Sequence, residues 1–174
     1  MPELAGRKVA MIIAHKNFRD PELTIPKNIL ENNGAKVVIA STSCEPSIGV
    51  EGTVMPVDIL IDNLKVANFD AVVFIGGPGA IEYFDNKKAR QIAKETFGIG
   101  KIIAAICAAS GTLAKSGVLT GKRATSFSGV SNILNENGAI FTGEAVTIDG
   151  NIITANGPAA ATQFGEALVQ ALTV

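Results

Sequence analysis

Four short and almost wholly apolar segments constrain the fold of this chain most strongly: Val9–Ala14, Ala35–Ala40, Asp70–Ile75 and Lys101–Ile106. A strand with one face in water alternates apolar and polar residues, whereas a strand covered on both faces is apolar throughout. Segments of helical character separate these strands along nearly the whole chain. The sequence therefore predicts an α/β fold in which helices cover both faces of a mainly parallel central sheet.

Local signals place the first helix between two of these strands. It is predicted over Pro21–Asn33, with Asp20 as N-cap and Pro21 at the first helical position. Pro26 lies within the helix and is expected to kink it, because proline removes a helical hydrogen bond. Gly34 then ends the helix.

The rest of the chain continues the same pattern. Residues 41–68 are less regular and predict a small β excursion with a short helix around Asp62–Val66. Glu144–Thr154 is predicted as a hairpin, because Asp149-Gly150 suits a tight two-residue turn, and Ala159–Leu172 is predicted as a closing helix. No repeat or Pro-rich linker divides the sequence, so residues 1–174 are expected to form a single domain.

Composition and charge argue against several classes of binding partner and cofactor. The formal net charge is −1, which offers no electrostatic attraction to nucleic acid or to an anionic membrane surface. One His and two Cys supply too few ligands for a typical zinc site, and neither GxGxxG nor GxxxxGK[ST] occurs. We therefore expect no metal and no cofactor. The apolar run at the start is too short for a signal peptide and no segment is long enough to span a bilayer, so a reducing cytoplasm is expected.

Cys107 is the strongest candidate for a catalytic residue. It lies directly after a buried strand and before a run of small helix formers, AASGTLA, which predicts a tight strand-to-helix turn. A thiol on such a turn faces the N–H groups and the positive end of a helix, and both favour the reactive thiolate. The alternative is a buried, inert cysteine that fills a gap in the core. Cys44 and Cys107 can pair only if the fold brings them together.

Three other features are candidates to meet Cys107, and two of them, Gly76-Gly77 and His15, follow the carboxyl ends of predicted strands as Cys107 does. Gly76-Gly77 follows a buried strand, and its N–H groups can serve an oxyanion, although two glycines are also an ordinary turn signal. Glu22, if buried, would stay protonated and donate to a thiolate; otherwise it is a solvated helix residue. His15 is the only histidine and would be the natural base of a Cys–His pair, at a distance the sequence does not give.

Several segments together resemble the ThiJ/PfpI superfamily, both its intracellular-protease-like branch and its deglycase group. The resemblance extends over nearly the whole chain and implies a flavodoxin-like three-layer sandwich that forms a homodimer. It also implies that Cys107 is the nucleophile, that Glu22 hydrogen-bonds the thiol, and that the N–H groups of Gly77 and Ala108 form an oxyanion pocket. The segments are FRDPELTIP (18–26), GAKVVIAS (34–41), FIGGPG (74–79), AAICAASGTLAKSGVLTGKRATSFSG (104–129) and DGNIITANGP (149–158).

The chain also departs from the family pattern around the expected site. Ala108 stands where protease-like members carry a His, and Arg19 stands where their FEDxEL motif has a carboxylate. Glu82, the nearest candidate for their triad glutamate, is displaced by about one position. Phe127 and Asn156 occupy the positions of a His and an Arg in the deglycase group. We treat His15, Arg19, Phe127 and Asn156 as candidate pocket residues.

These departures favour some functional hypotheses over others. Amide hydrolysis needs a proton donor for the leaving nitrogen, so Ala108 disfavours a peptidase or amidase. Addition of a thiolate to an aldehyde needs no such proton donor for a leaving group. The leading hypothesis is therefore a cysteine enzyme that acts on reactive carbonyls, for example by converting methylglyoxal to lactate, or on early glycation adducts. Glu22 would be its acid and base. The main alternative is an oxidation sensor in which Cys107 becomes a sulfinic acid stabilised by Glu22. A chaperone is a third possibility, which no sequence feature supports directly.

Overall fold

The computed structural model describes residues 2–173. Its strands are β1 (Lys8–Ile12), β2 (Lys16–Phe18), β3 (Lys36–Ser41), β4 (Ser47–Gly49), β5 (Val54–Met55), β6 (Ile59–Leu60), β7 (Ala71–Phe74), β8 (Ile102–Ile106), β9 (Arg123–Ala124), β10 (Ile140–Phe141), β11 (Val146–Asp149) and β12 (Ile152–Ala155). Its α-helices are α1 (Asp20–Asn32), α2 (Lys87–Gly98), α3 (Ser110–Ser116), α4 (Ser131–Glu136) and α5 (Ala161–Thr173).

Seven strands form the central sheet, in the order β11-β12-β8-β7-β1-β3-β6. Every neighbouring pair is parallel except β11 with β12, which is the predicted hairpin. The four apolar segments of the sequence became the adjacent strands β8, β7, β1 and β3 at the centre of the sheet. The predicted α/β fold with a mainly parallel sheet is confirmed.

Helices cover the sheet as two separate layers, because α1 packs against α5 while α2 packs against α3. Consecutive residues of β1 point to opposite faces, and all four from Val9 to Ile12 are completely buried. Both faces of the sheet are therefore covered. Gly165 of α5 lets the two helices of one layer approach closely, since a Cβ there would lie 2.8 Å from the Ile29 side chain. Pro26 lies inside α1, as predicted.

The start of α1 differs from the prediction in a way that matters for the site. Arg19, rather than Asp20, is the N-cap residue, and its side chain makes no capping bond. The carboxylate of Asp20 instead accepts hydrogen bonds from the backbone N–H groups of Glu51 and Thr53, each at 2.9 Å. Asp20 prefers these donors because the loop after β4 is folded directly over the helix start. It therefore ties that loop to α1.

Two smaller predictions were also wrong in detail. The helix expected around Asp62–Val66 is replaced by two single 3-10 turns at Ile61–Asn63 and Val66–Asn68, although β2, β4 and β5 do form the expected β excursion. In the hairpin, Asp149 pairs with Ile152, so the two turn residues are Gly150 and Asn151 rather than Asp149 and Gly150. The reason is that Asp149 extends its strand and accepts the backbone N–H of Arg123 at 2.9 Å.

Replacing Asp20 tests the tie between α1 and the loop. Burial raises the pKa of Asp20, but hydrogen bonds from the Thr53 side chain and from the N–H groups of Glu51 and Thr53 outweigh it and lower the pKa below its ordinary value. We expect Asp20→Ala to reduce the free energy of unfolding by about 2–4 kcal/mol at neutral pH, because two N–H groups lose their acceptor. The difference should shrink as pH falls through the pKa of the folded carboxyl, since the wild type then loses the same contribution.

Chemical denaturation at neutral pH and at pH values down to the lowered pKa of Asp20 measures both effects. Asp62→Ala, at an exposed carboxylate, is the matched control and should change stability by less than about 0.5 kcal/mol. Equal stabilities of the two variants would contradict the role assigned to Asp20.

Candidate active site

Cys107 lies on the strand-to-helix turn that the sequence predicts. Ile106 ends β8 in an extended conformation, Cys107 adopts a φ of 63°, and a 3-10 turn over Cys107–Ala109 leads into α3. A positive φ is unfavourable for a residue with a side chain and costs on the order of 1–3 kcal/mol. Cys107 as a residue is 8% exposed. The fold thus holds Cys107 in a strained conformation at the carboxyl end of a central strand.

Two backbone N–H groups act on the Cys107 sulfur. They belong to Ala108, the next residue on the turn, and to Gly77, which follows the neighbouring strand β7. The structure therefore brings together the three groups that the sequence singled out. Burial raises the pKa of the Cys107 thiol, the nearby Glu22 carboxylate raises it further, and hydrogen bonds from the two N–H groups lower it.

Glu22 reaches the same point from the first turn of α1. Its side chain is completely buried, and Gly76 leaves the space in which it meets the thiol. A Cβ at Gly76 would lie 2.5 Å from Glu22 Oε1 and 2.7 Å from Cys107 Cβ. The sequence indicated Gly76 only as part of a turn. Its role in making room for two side chains depends on α1 bringing Glu22 to the residues that follow β7 and β8, for which the sequence has no local signal.

Burial raises the pKa of Glu22 to about 7, against the lowering effects of the Cys107 thiol, the Arg19 charge and the Gly76 N–H. Neither carboxyl oxygen has a hydrogen bond of full geometric quality among residues 2–173, so these contacts offset desolvation only in part. The carboxyl and the thiol compete for one proton, and near neutral pH the carboxyl is the group that ionises, because burial and Glu22 raise the pKa of the thiol much further. A protonated Glu22 stabilises the thiolate by donating to it, whereas an ionised Glu22 keeps the thiol protonated.

Arg19 contributes the positive charge of the site. Its backbone N–H donates to the Gly76 carbonyl at 2.9 Å, which anchors it beside the two glycines. Its charge lowers the pKa of Glu22, yet within the described part of the chain the two side chains form no ion pair. The guanidinium Nε is buried and has no hydrogen-bond partner among those residues.

His15 does not form the Cys–His pair that was considered. Its backbone N–H donates to Glu82 at 2.9 Å, and Glu82 also accepts from Thr42 at 2.7 Å. The His15 Nδ1 atom is buried without a partner, and no hydrogen bond between residues 2 and 173 joins the imidazole to Cys107 or Glu22. Glu82 holds the loop after β1 and is committed to these two contacts.

Phe127 and Asn156 lie beside the strand-to-helix turn at Cys107. The Phe127 N–H donates to the Cys107 carbonyl at 3.2 Å, and its side chain is 48% exposed. Asn156 is half-buried and follows Ala155, which pairs with Ile106 across β12 and β8. Both residues thus lie at the sheet edge that carries Cys107, where they can border an incoming molecule.

The described residues offer little else that points to a functional centre. Cys44 is exposed and both cysteines are free thiols. Residues 2–173 contain no cluster of His, Cys, Asp or Glu suited to a metal ion. Over the same range, no helix combines the length and apolar character needed to cross a bilayer. A cleft of about 450 Å³ between α1 and α5, lined by Ile29 and Val169, does not include the thiol, so chemistry rather than cavity size marks the site.

The raised pKa of Glu22 makes a prediction about stability and pH. The unfolded chain ionises this carboxyl near its ordinary pKa of 4.5, whereas the folded protein keeps it protonated up to about 7. The folded state holds more protons between these values, so Glu22 makes the protein less stable as pH rises. We expect Glu22→Gln to gain stability relative to wild type between about pH 5 and about pH 8, by up to about 3 kcal/mol.

Urea denaturation at several pH values measures this gain. Glu31→Gln removes a carboxylate from the exposed side of the same helix and serves as the matched control. A pH-independent difference between Glu22→Gln and wild type would contradict the protonated state of Glu22 in the folded protein.

Comparison with known proteins agrees with the geometry. The chain is 38% identical over 172 residues to an uncharacterized protein of Methanocaldococcus jannaschii, covering 97% of this chain and 84% of that one. It is 34% identical over 152 residues to a deglycase of Pyrococcus horikoshii, with 87% and 91% covered. A glutathione-independent glyoxalase of Caenorhabditis elegans is 26% identical over 170 residues, with 97% and 91% covered.

Solved structures share the fold. A ThiJ/PfpI domain protein from Brachyspira murdochii superposes with a TM-score of 0.93 at 31% identity, covering 96% of this chain and 98% of that one. An oxidized DJ-1 of Toxoplasma gondii superposes with a TM-score of 0.84 at 26% identity, with 94% and 90% covered. The sequence profile of the DJ-1/PfpI family matches residues 7–171. This chain therefore belongs to the DJ-1/PfpI family.

Proposed function

We propose that this protein is a cysteine-dependent enzyme that converts 2-oxoaldehydes to 2-hydroxy acids, with Cys107 as nucleophile and Glu22 as acid and base. The observation that carries the proposal is the completely buried Glu22 carboxyl beside the Cys107 thiol, with a pKa of about 7. A general acid and base is most effective when its pKa lies near the working pH, because it can then both accept and donate a proton.

Carbon–sulfur bond formation is the first step. Glu22 takes the thiol proton, and the thiolate adds to the aldehyde carbon. The N–H groups of Gly77 and Ala108, which act on the sulfur in the free protein, then stabilise the negative oxygen that forms next to it. Glu22 returns the proton to that oxygen, and the product is a neutral hemithioacetal.

A proton shift and a hydrolysis complete the reaction. Glu22 removes the hydrogen of the former aldehyde carbon as a proton, which gives an enediolate, and delivers it to the neighbouring carbon, while the hydroxyl proton of the first carbon passes to the oxygen of its neighbour. The result is a thioester of a 2-hydroxy acid. Water cleaves this thioester and restores the Cys107 thiol. One carbon is oxidised and its neighbour reduced by two electrons, so the sequence consumes water and needs no external oxidant.

The comparisons support this class of chemistry. The deglycase and glyoxalase names of the relatives both imply attack on carbonyl compounds or their adducts, and a small reactive carbonyl or a glycated molecule is the substrate class that we propose. Ala108 disfavours a peptidase, as does a His15 imidazole without a hydrogen bond to Cys107 or Glu22 among the described residues, because amide hydrolysis needs a donor that protonates the leaving amine. A homodimer in the cytoplasm remains our prediction from the family resemblance.

Lactate formation from methylglyoxal tests the enzyme. We expect Cys107→Ser to lower kcat/KM by more than about 1,000-fold, because the alcohol is a far weaker nucleophile than the thiol. Glu22→Gln should lower it by about 100- to 10,000-fold through loss of proton transfer. Cys44→Ser, at an exposed free thiol, is the control and should keep the wild-type rate. Lactate formation by Cys107→Ser at the wild-type rate would refute the mechanism.

Oxidation sensing is a second candidate, favoured by the same donors around the sulfur. The N–H groups of Gly77 and Ala108, with a protonated Glu22, offer hydrogen bonds to the oxygens of a sulfinic acid at Cys107. The related Toxoplasma gondii DJ-1 has been solved in an oxidized form. This function needs no turnover and no His.

Mass spectrometry after mild peroxide treatment tests the sensor, with Cys44 as an internal comparison. If exposure alone decided reactivity, the exposed Cys44 would be oxidised before the buried Cys107. The sensor predicts the reverse, a gain of two oxygen atoms confined to Cys107 and retained in Glu22→Gln. That gain without any lactate formation would favour the sensor over the enzyme, whereas oxidation of Cys44 alone would exclude sensing by Cys107.

A further inference from the structure

Arg19 is a cation at the site whose charge is not neutralised by a direct partner. Its guanidinium Nε is buried and has no hydrogen-bond acceptor among residues 2–173. A buried donor without a partner costs about 1–3 kcal/mol, so such a group in a folded protein calls for an explanation. The proton competition between Glu22 and Cys107 does not supply one, because it needs no guanidinium donor.

The neighbouring carboxylates are committed elsewhere. Asp20, the next residue, accepts from the N–H groups of Glu51 and Thr53. Glu82 accepts from His15 and Thr42, and Glu22 forms no ion pair with Arg19. Arg19 is nevertheless close enough to Glu22 to lower its pKa. The positive charge therefore lies close to the Glu22–Cys107 pair and is not paired with a carboxylate of the described residues.

We propose that Arg19 selects substrates that carry a carboxylate a few bonds away from the reacting aldehyde. A guanidinium offers a planar set of donors that matches a carboxylate, and such charged hydrogen bonds are stronger than neutral ones. Without Arg19, an anionic substrate would meet only the negative charge that Cys107 and Glu22 share when they hold one proton between them. This inference rests on the proposed function and names the substrate class of the same site.

A 2-oxoaldehyde with a terminal carboxylate, 4,5-dioxopentanoate, fits this description. The Cys107 thiolate adds to the aldehyde carbon, the hydrogen of that carbon moves to the adjacent ketone carbon as a proton, and water cleaves the thioester. The product is 2-hydroxyglutarate, formed with one water consumed and no other reactant. The distal carboxylate takes no part in bond changes and serves only for recognition.

The test compares this acid with 2-oxopentanal, which has the same carbon chain and no carboxylate. The measured quantity is the ratio of kcat/KM for the two substrates. We expect the wild type to prefer the acid and Arg19→Gln to lower that ratio by about 10- to 100-fold, the value of a charged hydrogen bond. Arg19→Lys should recover part of the preference because it keeps the charge. Arg123→Gln, at an exposed arginine paired with Glu144, is the control and should leave the ratio unchanged.

The outcomes separate this inference from the function on which it rests. An unchanged ratio in Arg19→Gln would overturn the inference while leaving the enzyme intact. A parallel loss for both substrates with a shifted pH profile would also overturn it, because Arg19 would then act only by tuning Glu22. Failure of the wild type to turn over either substrate would refute the proposed function.

A binding measurement keeps the role of Arg19 testable even then. The keto acid 4-oxopentanoate has the carboxylate but no aldehyde, and 2-pentanone has neither. We expect the keto acid, and not the ketone, to protect Cys107 from alkylation by iodoacetamide in the wild type, and we expect Arg19→Gln to abolish this protection. Equal protection in the variant and the wild type would exclude carboxylate recognition by Arg19.

Discussion

The site depends on one contact, the meeting of two buried acids, Glu22 and Cys107. Each is a group that water would solvate well, and burial disfavours the ionised form of both. Placed together, they compete for one proton: an ionised Glu22 keeps the thiol protonated, and a protonated Glu22 can donate to a thiolate. Gly76 makes the contact possible, because any side chain there would occupy the space that the two groups share.

The surrounding fold holds this contact in place from three directions. Strand β8 delivers Cys107 in a left-handed conformation, strand β7 delivers the N–H of Gly77, and α1 delivers Glu22. Asp20 ties the start of that helix to the loop after β4 by two hydrogen bonds. Conformational strain at Cys107 and burial of Glu22 both cost stability, and the fully buried central strands supply the apolar packing that offsets them.

The residues that depart from the family pattern all change the groups that surround the Cys107 thiol. With Ala108 beside the nucleophile and His15 engaged through its backbone with Glu82, Glu22 is the one titrating partner of the thiol that the described geometry provides. Carbonyl chemistry can proceed with that single acid and base, whereas amide hydrolysis needs a further proton donor. Arg19, in place of a carboxylate, puts a positive charge beside the site, and we propose that this charge favours substrates that carry a carboxylate.

Local sequence determined the four buried strands, the turn at Cys107 and the position of Pro26 within the first helix, because uninterrupted apolar runs, small residues and proline act over a few residues. It could not determine that Asp20 binds a loop some thirty residues away. Nor could it determine that Gly76 leaves the space in which Glu22 meets Cys107. The protonation of Glu22 and the unpartnered donor of Arg19 were decided only by the tertiary structure. Burial and charge arise from groups brought together across the sheet, and they depend on distances that no local pattern encodes.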